Sequence, residues 1–222
     1  MVYLTPRLKA VASFVEKGSV IADIGTDHAY IPAYLISNGV IEKAIAADIN
    51  PGPLENAKKT MKNEGISSVE FVLSDGLRNI KGKDYNEIII AGMGGEMIAS
   101  ILDSSSWCKD EKYSFILQPM TKEDHLRRYL YENGFEIIKE TLAAEKDKLY
   151  NIMKANFVGE KRKVTDSFAL LGKTTADELF ELKREREIRR LTNIYESLKN
   201  KENSSPEREK IKKLIKEIED YQ

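Results

Sequence analysis

Three carboxylates stand just past three short apolar runs, and their placement describes a site for one elongated ligand. Val20-Ile21-Ala22 runs into Asp23, with Gly25 two residues on. Ala44-Ile45-Ala46-Ala47 runs into Asp48, followed by Ile49, and Val69 to Leu73 leads into Ser74-Asp75-Gly76-Leu77. Acids at the ends of buried parallel strands face the edge where open sheets hold ligands, and one after the second strand can accept from both ribose hydroxyls of an adenosine. Gly25 lets the chain turn tightly and lets a ligand lie against backbone. A loop built for pyrophosphate would carry Gly-x-Gly-x-x-Gly; here a single glycine of that pattern is present, and Asp23 would repel a diphosphate. Asp48 by itself suits any adenosine cofactor. A fourth stretch, Ile90-Ala91-Gly92-Met93-Gly94-Gly95, reads either as a tight strand-to-helix turn or as backbone laid against a reacting group. In Thr26-Asp27-His28-Ala29-Tyr30, the type and place of Asp27 permit it to cap the helix that follows.

The elements that would position these residues follow from the hydrophobic pattern. Thr5-Pro6 opens a helix that runs to Lys17-Gly18, since Thr caps well and Pro suits the first turn. Helices are predicted at about Tyr30 to Asn38, Pro51 to Glu64, Glu96 to Leu102 and Lys122 to Asn133. Further strands are predicted at Glu87 to Ala91, Ser114 to Gln118, Phe135 to Ala144 and Leu149 to Phe157, seven in all with the three above. Strand and helix alternate, and the early strands are continuously apolar, the mark of a parallel sheet covered on both faces. The last two strands have no helix between them, so one edge carries an antiparallel strand. After about residue 157 the pattern changes. Gly159 to Thr175 is polar with scattered apolar residues. Ala176 to Asn200 is a charged amphipathic helix, Lys201 to Pro206 a turn and Glu207 to Tyr221 a second helix: a helical, coiled-coil-like hairpin. The expected division is residues 1–157 for the α/β domain and 158–222 for the appendage.

A formal net charge of −1 carries no global basic signature for nucleic acid, although a local patch can suffice. Cys108 is the single cysteine, so no internal disulfide can form, which fits a reducing compartment. With no nearby His it is a poor nucleophile. No apolar run is long enough to span a bilayer and no signal peptide opens the chain, so a cytoplasmic protein is expected. Nothing in the sequence calls for a metal.

A seven-stranded, mostly parallel sheet with one antiparallel strand is the α/β, Rossmann-like architecture of class I methyltransferases. In that class the loop after the first strand cradles the amino-acid part of S-adenosyl-L-methionine, and the acid after the third, here Asp75, accepts from the adenine amine. Thr5-Pro6-Arg7-Leu8, Ala22 to Pro32 (Ala-Asp-Ile-Gly-Thr-Asp-His-Ala-Tyr-Ile-Pro), Asp75-Gly76-Leu77, Ile90 to Gly95 and Leu117-Gln118-Pro119 together resemble the bacterial TrmK family, tRNA (adenine(22)-N(1))-methyltransferases. The resemblance runs from about residue 4 to residue 156, and the helical tail matches in character. It implies a cofactor site of Asp23, Gly25, Thr26, Asp27, His28, Tyr30, Asp48, Ile49, Asp75, Gly76, Ala91, Gly92 and Met93. It implies catalytic roles for Asp27, which replaces the usual second glycine, and for Gly92 and Met93 at the place of transfer. It implies tRNA as partner; Arg7 and, from the charge pattern of the first tail helix, Lys183, Arg186 and Arg190 are the candidate RNA contacts. These last three share a helix face at spacings of three and four, although Glu181, Glu185 and Glu187 balance them.

Two other readings use the same residues: a methyltransferase acting on a small molecule or protein, and a non-catalytic nucleotide- or RNA-binding module. Exposing N1 of adenine requires an unpaired or flipped base. Tyr30 and Phe135 are the aromatic candidates to stack on it, and the sequence does not rank them.

Overall fold

The computed structural model describes residues 2–173, 177–198 and 205–221. Seven strands form one sheet: β1 (Ile21–Ile24), β2 (Ala44–Asp48), β3 (Val69–Leu73), β4 (Glu87–Met93), β5 (Ser114–Pro119), β6 (Phe135–Glu145) and β7 (Lys148–Phe157). Their order is β3-β2-β1-β4-β5-β7-β6. β1 to β5 pair in parallel, and β7 runs antiparallel to both β5 and β6, so it is the one reversed strand. The chain winds outward from β1 to β3 and then returns to β4. The crevice above the C-terminal ends of β1 and β4 is therefore the topological switch point, where open sheets bind ligands.

Alternation along the strands sends side chains to two cores. Ile21, Ile89, Ile116 and Ile152 meet α1 (Pro6–Ala12) and α2 (Tyr30–Ser37) on one face. Ala46 meets α3 (Pro51–Glu64) on the same side through Ala57 and Met61. Ala22, Ile24, Ile88, Ile90, Phe115 and Leu117 face α4 (Gly95–Asp103) and α5 (Glu123–Glu132) on the other. Each fully buried isoleucine is worth about 1.5–3 kcal/mol of transfer free energy.

Most boundaries follow the sequence pattern, and α3 spans Pro51–Glu64 as expected, ended by Gly65 in the left-handed region at φ 68°. Three differ. The first helix stops at Ala12, and turns carry Phe14 and Val15 into the core. β4 continues through Gly92 to Met93, where a tight loop was expected, with a bulge between Ala91 and Met93. The polar stretch after residue 158 contains a short helix, α6 (Asp166–Leu171), capped by Thr165 Oγ1, which accepts from Phe168 N at 3.1 Å.

The tail helices are α7 (Glu178–Ser197) and α8 (Ser205–Glu219). Phe180 near the start of α7 stacks on Tyr221 just past α8, so the pair is antiparallel. Residues 199–204, which hold most of the expected turn, lie outside the described residues, as do the expected helix ends at Ala176 and Asn200. The hairpin is docked on the sheet: Leu142 of β6 is buried with Leu171, Phe180, Leu191 and Ile218. Beside that cluster Arg127, fully buried, donates to Glu140 Oε1 at 2.6 Å, Asn151 Oδ1 at 2.9 Å and the Ala169 carbonyl at 2.6 Å. No helix among the described residues is long and apolar enough to cross a membrane.

Candidate active site

The structure brings the three sequence-named acids to one edge. Asp23 is the third residue of β1, Asp48 closes β2, and Asp75 follows β3. Two adjoining clefts open above them. One, of about 430 Å³, is lined by Asp48, Ile49, Asp75, Gly76, Met93 and Met97 among others. The other, of about 320 Å³, is lined by Arg7, Asp23, Thr26, Asp27, His28 and Tyr30, with Ala91 and Gly92 at its base. Gly25 borders both, and Met93 lies over it: a Cβ on Gly25 would come within 2.2 Å of Met93 Cε. Gly25 has φ 73°, in the left-handed region that a residue with a Cβ rarely adopts, and the flexible end of the Met93 side chain fills the room above it.

Each half has its own chemistry. Asp48 Oδ1 accepts from Asn50 N at 2.8 Å, which fixes the carboxylate at the strand end. Asp75 is exposed and pairs with Arg78 at 3.0 Å. Ile49 is 59% exposed beside them, an apolar surface against which a flat ring could lie. In the other half Asp23 is buried, and Thr26 Oγ1 donates to its Oδ2 at 2.6 Å. Burial pushes the Asp23 carboxyl up to about 6, with the Asp48 charge adding to the rise and Thr26 opposing it. A cationic amine would supply the partner that such a carboxylate lacks. Diol acceptors at one end and a buried anion at the other fit an adenosine joined to an amino acid.

The loop between β1 and α2 is held in an uncommon shape. Asp27 has φ 44° and Ala29 φ 52°, both in the left-handed region, which costs on the order of 1 kcal/mol each for residues with a Cβ. Ala29 is the N-cap of α2 and makes no side-chain cap bond; its methyl is buried with Ala33, Ala46 and Ala57. Asp27 is exposed, 3.7 Å from His28 Nε2, and is not the N-cap of α2. The helix-cap alternative is therefore set aside by geometry.

One residue that sequence reasoning had not placed in the site organises its far wall. Gln118, the residue before the last of β5, has no exposed surface. Its Oε1 accepts from Arg7 Nη1 at 2.6 Å and from Gly92 N at 3.1 Å, so it holds both the bulge of β4 and the arginine. Arg7 also lies over the Tyr150 ring at 5.6 Å. A lone glutamine inside the run Phe115 to Pro119 was the available signal. Gly95 serves packing: its N donates to the Thr121 carbonyl at 2.7 Å, and a Cβ there would strike the Lys122 carbonyl at 2.2 Å.

Two expectations are overturned. Lys183 is not a surface phosphate contact: it is 5% exposed and donates to Asn151 Oδ1 at 2.8 Å and the Leu171 carbonyl at 2.9 Å. It turned inward because α7 packs that side against the sheet. Phe135 is not a stacking platform, being fully buried edge-on between Phe115 and Phe157. Arg186 is exposed and donates to the Asp147 carbonyl at 3.1 Å, and Arg190 is exposed and paired with Glu187. Cys108 is buried and its thiol is pushed up to about 11 by that burial, so it is no nucleophile.

Comparison with known proteins bears on this site. The family model described as a methyltransferase domain matches residues 4–153. The tRNA (adenine(22)-N(1))-methyltransferase of Bacillus subtilis (strain 168) is 33% identical over 225 aligned residues, 97% of this chain and 94% of the relative. The crystal structure of the B. subtilis m1A22 tRNA methyltransferase TrmK superposes with a TM-score of 0.82 at 32% identity, covering 99% of this chain and 96% of the other. M. capricolum TrmK in complex with S-adenosyl-homocysteine superposes with a TM-score of 0.82 at 29% identity, covering 98% and 97%.

Proposed function

The chain belongs to the methyltransferase-domain family, among the tRNA (adenine(22)-N(1))-methyltransferases, and from that premise we propose that it moves the methyl group of S-adenosyl-L-methionine to N1 of adenine 22 in tRNA. The observation that carries this reading is the divided cleft, with Asp48 and Asp75 in one half, Asp23 and Asp27 in the other, and Met93 laid over Gly25 between them. When bound, the cofactor supplies a methyl group on a positively charged sulfur.

The residues divide the remaining work. Asp48 accepts from the ribose hydroxyls, Asp75 and Gly76 border the adenine, and Ile49 packs on its face. Asp23, with Thr26, takes the amine, and Gly25 lets the chain lie close to the amino-acid part. Gly92 and Met93, with Ala91 behind them, form the floor under the place of transfer. Adenine N1 already carries a lone pair, so no base is needed to deprotonate it before attack. The protein must hold N1 in line, and proximity and orientation can contribute about 7–11 kcal/mol. Asp27 accepts from the exocyclic amine and stabilises the purine as it becomes cationic. Arg7, Arg186 and Arg190 lie along the path of the tRNA backbone. Arg186 and Arg190 hold local partners, so their pairing with phosphate exchanges one contact for another. As a tRNA-modifying enzyme the chain works beside its substrate in the cytoplasm. Residues 1–157 carry the chemistry and residues 158–222 the helical extension.

Methyl transfer from labelled cofactor to total tRNA, followed by nucleoside analysis, tests the reading. Label in 1-methyladenosine at position 22 is the expected result. Label in another nucleoside, or in protein and small molecules alone, overturns it.

A further inference from the structure

The half of the cleft that holds Asp27 also holds two aromatic rings set parallel. His28 and Tyr30 stack with centroids 5.0 Å apart and planes 5° from one another. Tyr30 is 40% exposed, and the His28 side chain is 40% exposed as well. Residues two apart on a chain do not ordinarily share a side in a helix. They do so here because Asp27 and Ala29, on either side of His28, are both in the left-handed region. The buried methyl of Ala29 anchors that distortion. The loop thus holds an open, flat, π-bearing surface beside an exposed carboxylate.

A base has a use for each of these features. An extruded purine loses the stacking it had in the nucleic acid, and an aromatic face restores it. Neither ring lies in the half of the cleft with Asp48 and Asp75, where the acceptors suited to the cofactor's own adenosine are found. Gly25 and the Met93 side chain above it stand between the two halves. Arg7, held by Gln118, lines the same cleft as the rings, a cation in company with the carboxylates of Asp23 and Asp27.

Resting on the function proposed above, we infer that the His28–Tyr30 pair is the platform on which the target adenine stacks, with Asp27 at its amine edge and Arg7 facing its phosphate. This assigns the two rings to the acceptor nucleotide and not to the cofactor. It also ranks the aromatic residues of the sequence, since Phe135 is closed off in the core.

Full-length Tyr30→Ala and Tyr30→Phe variants test the inference with three measurements. These are S-adenosyl-homocysteine affinity by calorimetry, single-turnover methylation of tRNA, and fluorescence of bound tRNA carrying 2-aminopurine at the target position. Tyr30→Ala should bind S-adenosyl-homocysteine within twofold of wild type, which also shows that it is folded. Its methylation rate should drop about 10- to 100-fold, the range of a lost base–aromatic stack. Its bound 2-aminopurine should be brighter than in the wild-type complex, and Tyr30→Phe should restore both rate and quenching. A tenfold or larger loss of S-adenosyl-homocysteine affinity in Tyr30→Ala would assign the ring to the cofactor and overturn the inference. An unchanged rate, or failure of phenylalanine to rescue, overturns it equally. If the wild-type chain itself leaves tRNA unmethylated while binding S-adenosyl-homocysteine, the tRNA reading has failed and the platform falls with it; a difference confined to the variants concerns the platform alone.

Discussion

Lys183 Nζ donates to Asn151 Oδ1 over 2.8 Å, joining the first tail helix to the reversed strand of the sheet. The same oxygen accepts from Arg127, which also holds Glu140 and the Ala169 carbonyl. Glu140 Oε2 in turn accepts from Lys173 N at 3.0 Å. Lys183, Arg127 and Glu140, charged residues that a sequence pattern assigns to solvent, thus form one buried network. Such a network is costly to desolvate and costly to break by removing one member. The helical hairpin is accordingly held in one place relative to the edge of the cleft, where Tyr150, next to Asn151, supports Arg7.

Lys183→Met should therefore change stability and leave RNA binding largely alone. Removing a buried donor from two acceptors costs about 1–3 kcal/mol, in part offset by the relief of desolvation. Burial, with the Arg127 charge beside it, lowers the Lys183 amine to about 7 from an ordinary 10.5. Between these values the folded chain binds fewer protons at this site than the unfolded chain, so stability rises with pH across that window. Urea midpoints of wild type and Lys183→Met, measured from pH 6 to 10, should diverge in favour of wild type as pH climbs. A parallel pair of curves contradicts the buried assignment.

Asp48→Ala should weaken S-adenosyl-L-methionine binding by about 1–3 kcal/mol, because a charged acceptor is lost from two hydroxyls. Asp48 closes β2 with its side chain part exposed, so the fold should persist. Unchanged calorimetric affinity in a folded variant would remove Asp48 from the cofactor site.

Asp27→Asn should lower turnover far more than tRNA affinity. Asparagine tolerates the left-handed φ of 44° at this position, so the loop shape survives while the negative charge is lost. The test is kcat against KM for tRNA. A variant with near-normal kcat would leave Asp27 as a residue of loop conformation only.

Cofactor affinity should decline as pH falls through about 6. Burial raises Asp23 to that value, so below it the empty site holds a neutral acid that must lose its proton before it can pair with a cationic amine. In the unliganded chain the sign is opposite: the raised carboxyl binds its proton more tightly when folded, so its own contribution to stability grows as pH drops from about 6 toward 3.8. Calorimetry between pH 5 and 8 should show the loss in wild type and a flat, weaker profile in Asp23→Asn. A flat wild-type profile would mean that Asp23 does not face the amine.

The sequence determined the seven strands, the mostly parallel character of their sheet and the three acids at its edge, because these depend on local signals. A buried strand reads as a continuous apolar run, and the residues just past its end must lie at the sheet's C-terminal edge. Asp23, Asp48 and Asp75 could be named on that ground, as could the bounds of α3 between Pro51 and Gly65. Tertiary structure decided whatever depends on residues far apart in the chain. Gln118 joins Arg7 to Gly92 across 111 and 26 positions, and no periodicity encodes that meeting. Periodicity placed Lys183, Arg186 and Arg190 on one helical face, but the part of that face that turns inward is set by the elements packed against it. β7 and α6 supplied acceptors, and Lys183 went in. The stacking of His28 on Tyr30 was likewise invisible, because it rests on two left-handed residues held by packing around Ala29, where local preference alone would favour an ordinary turn.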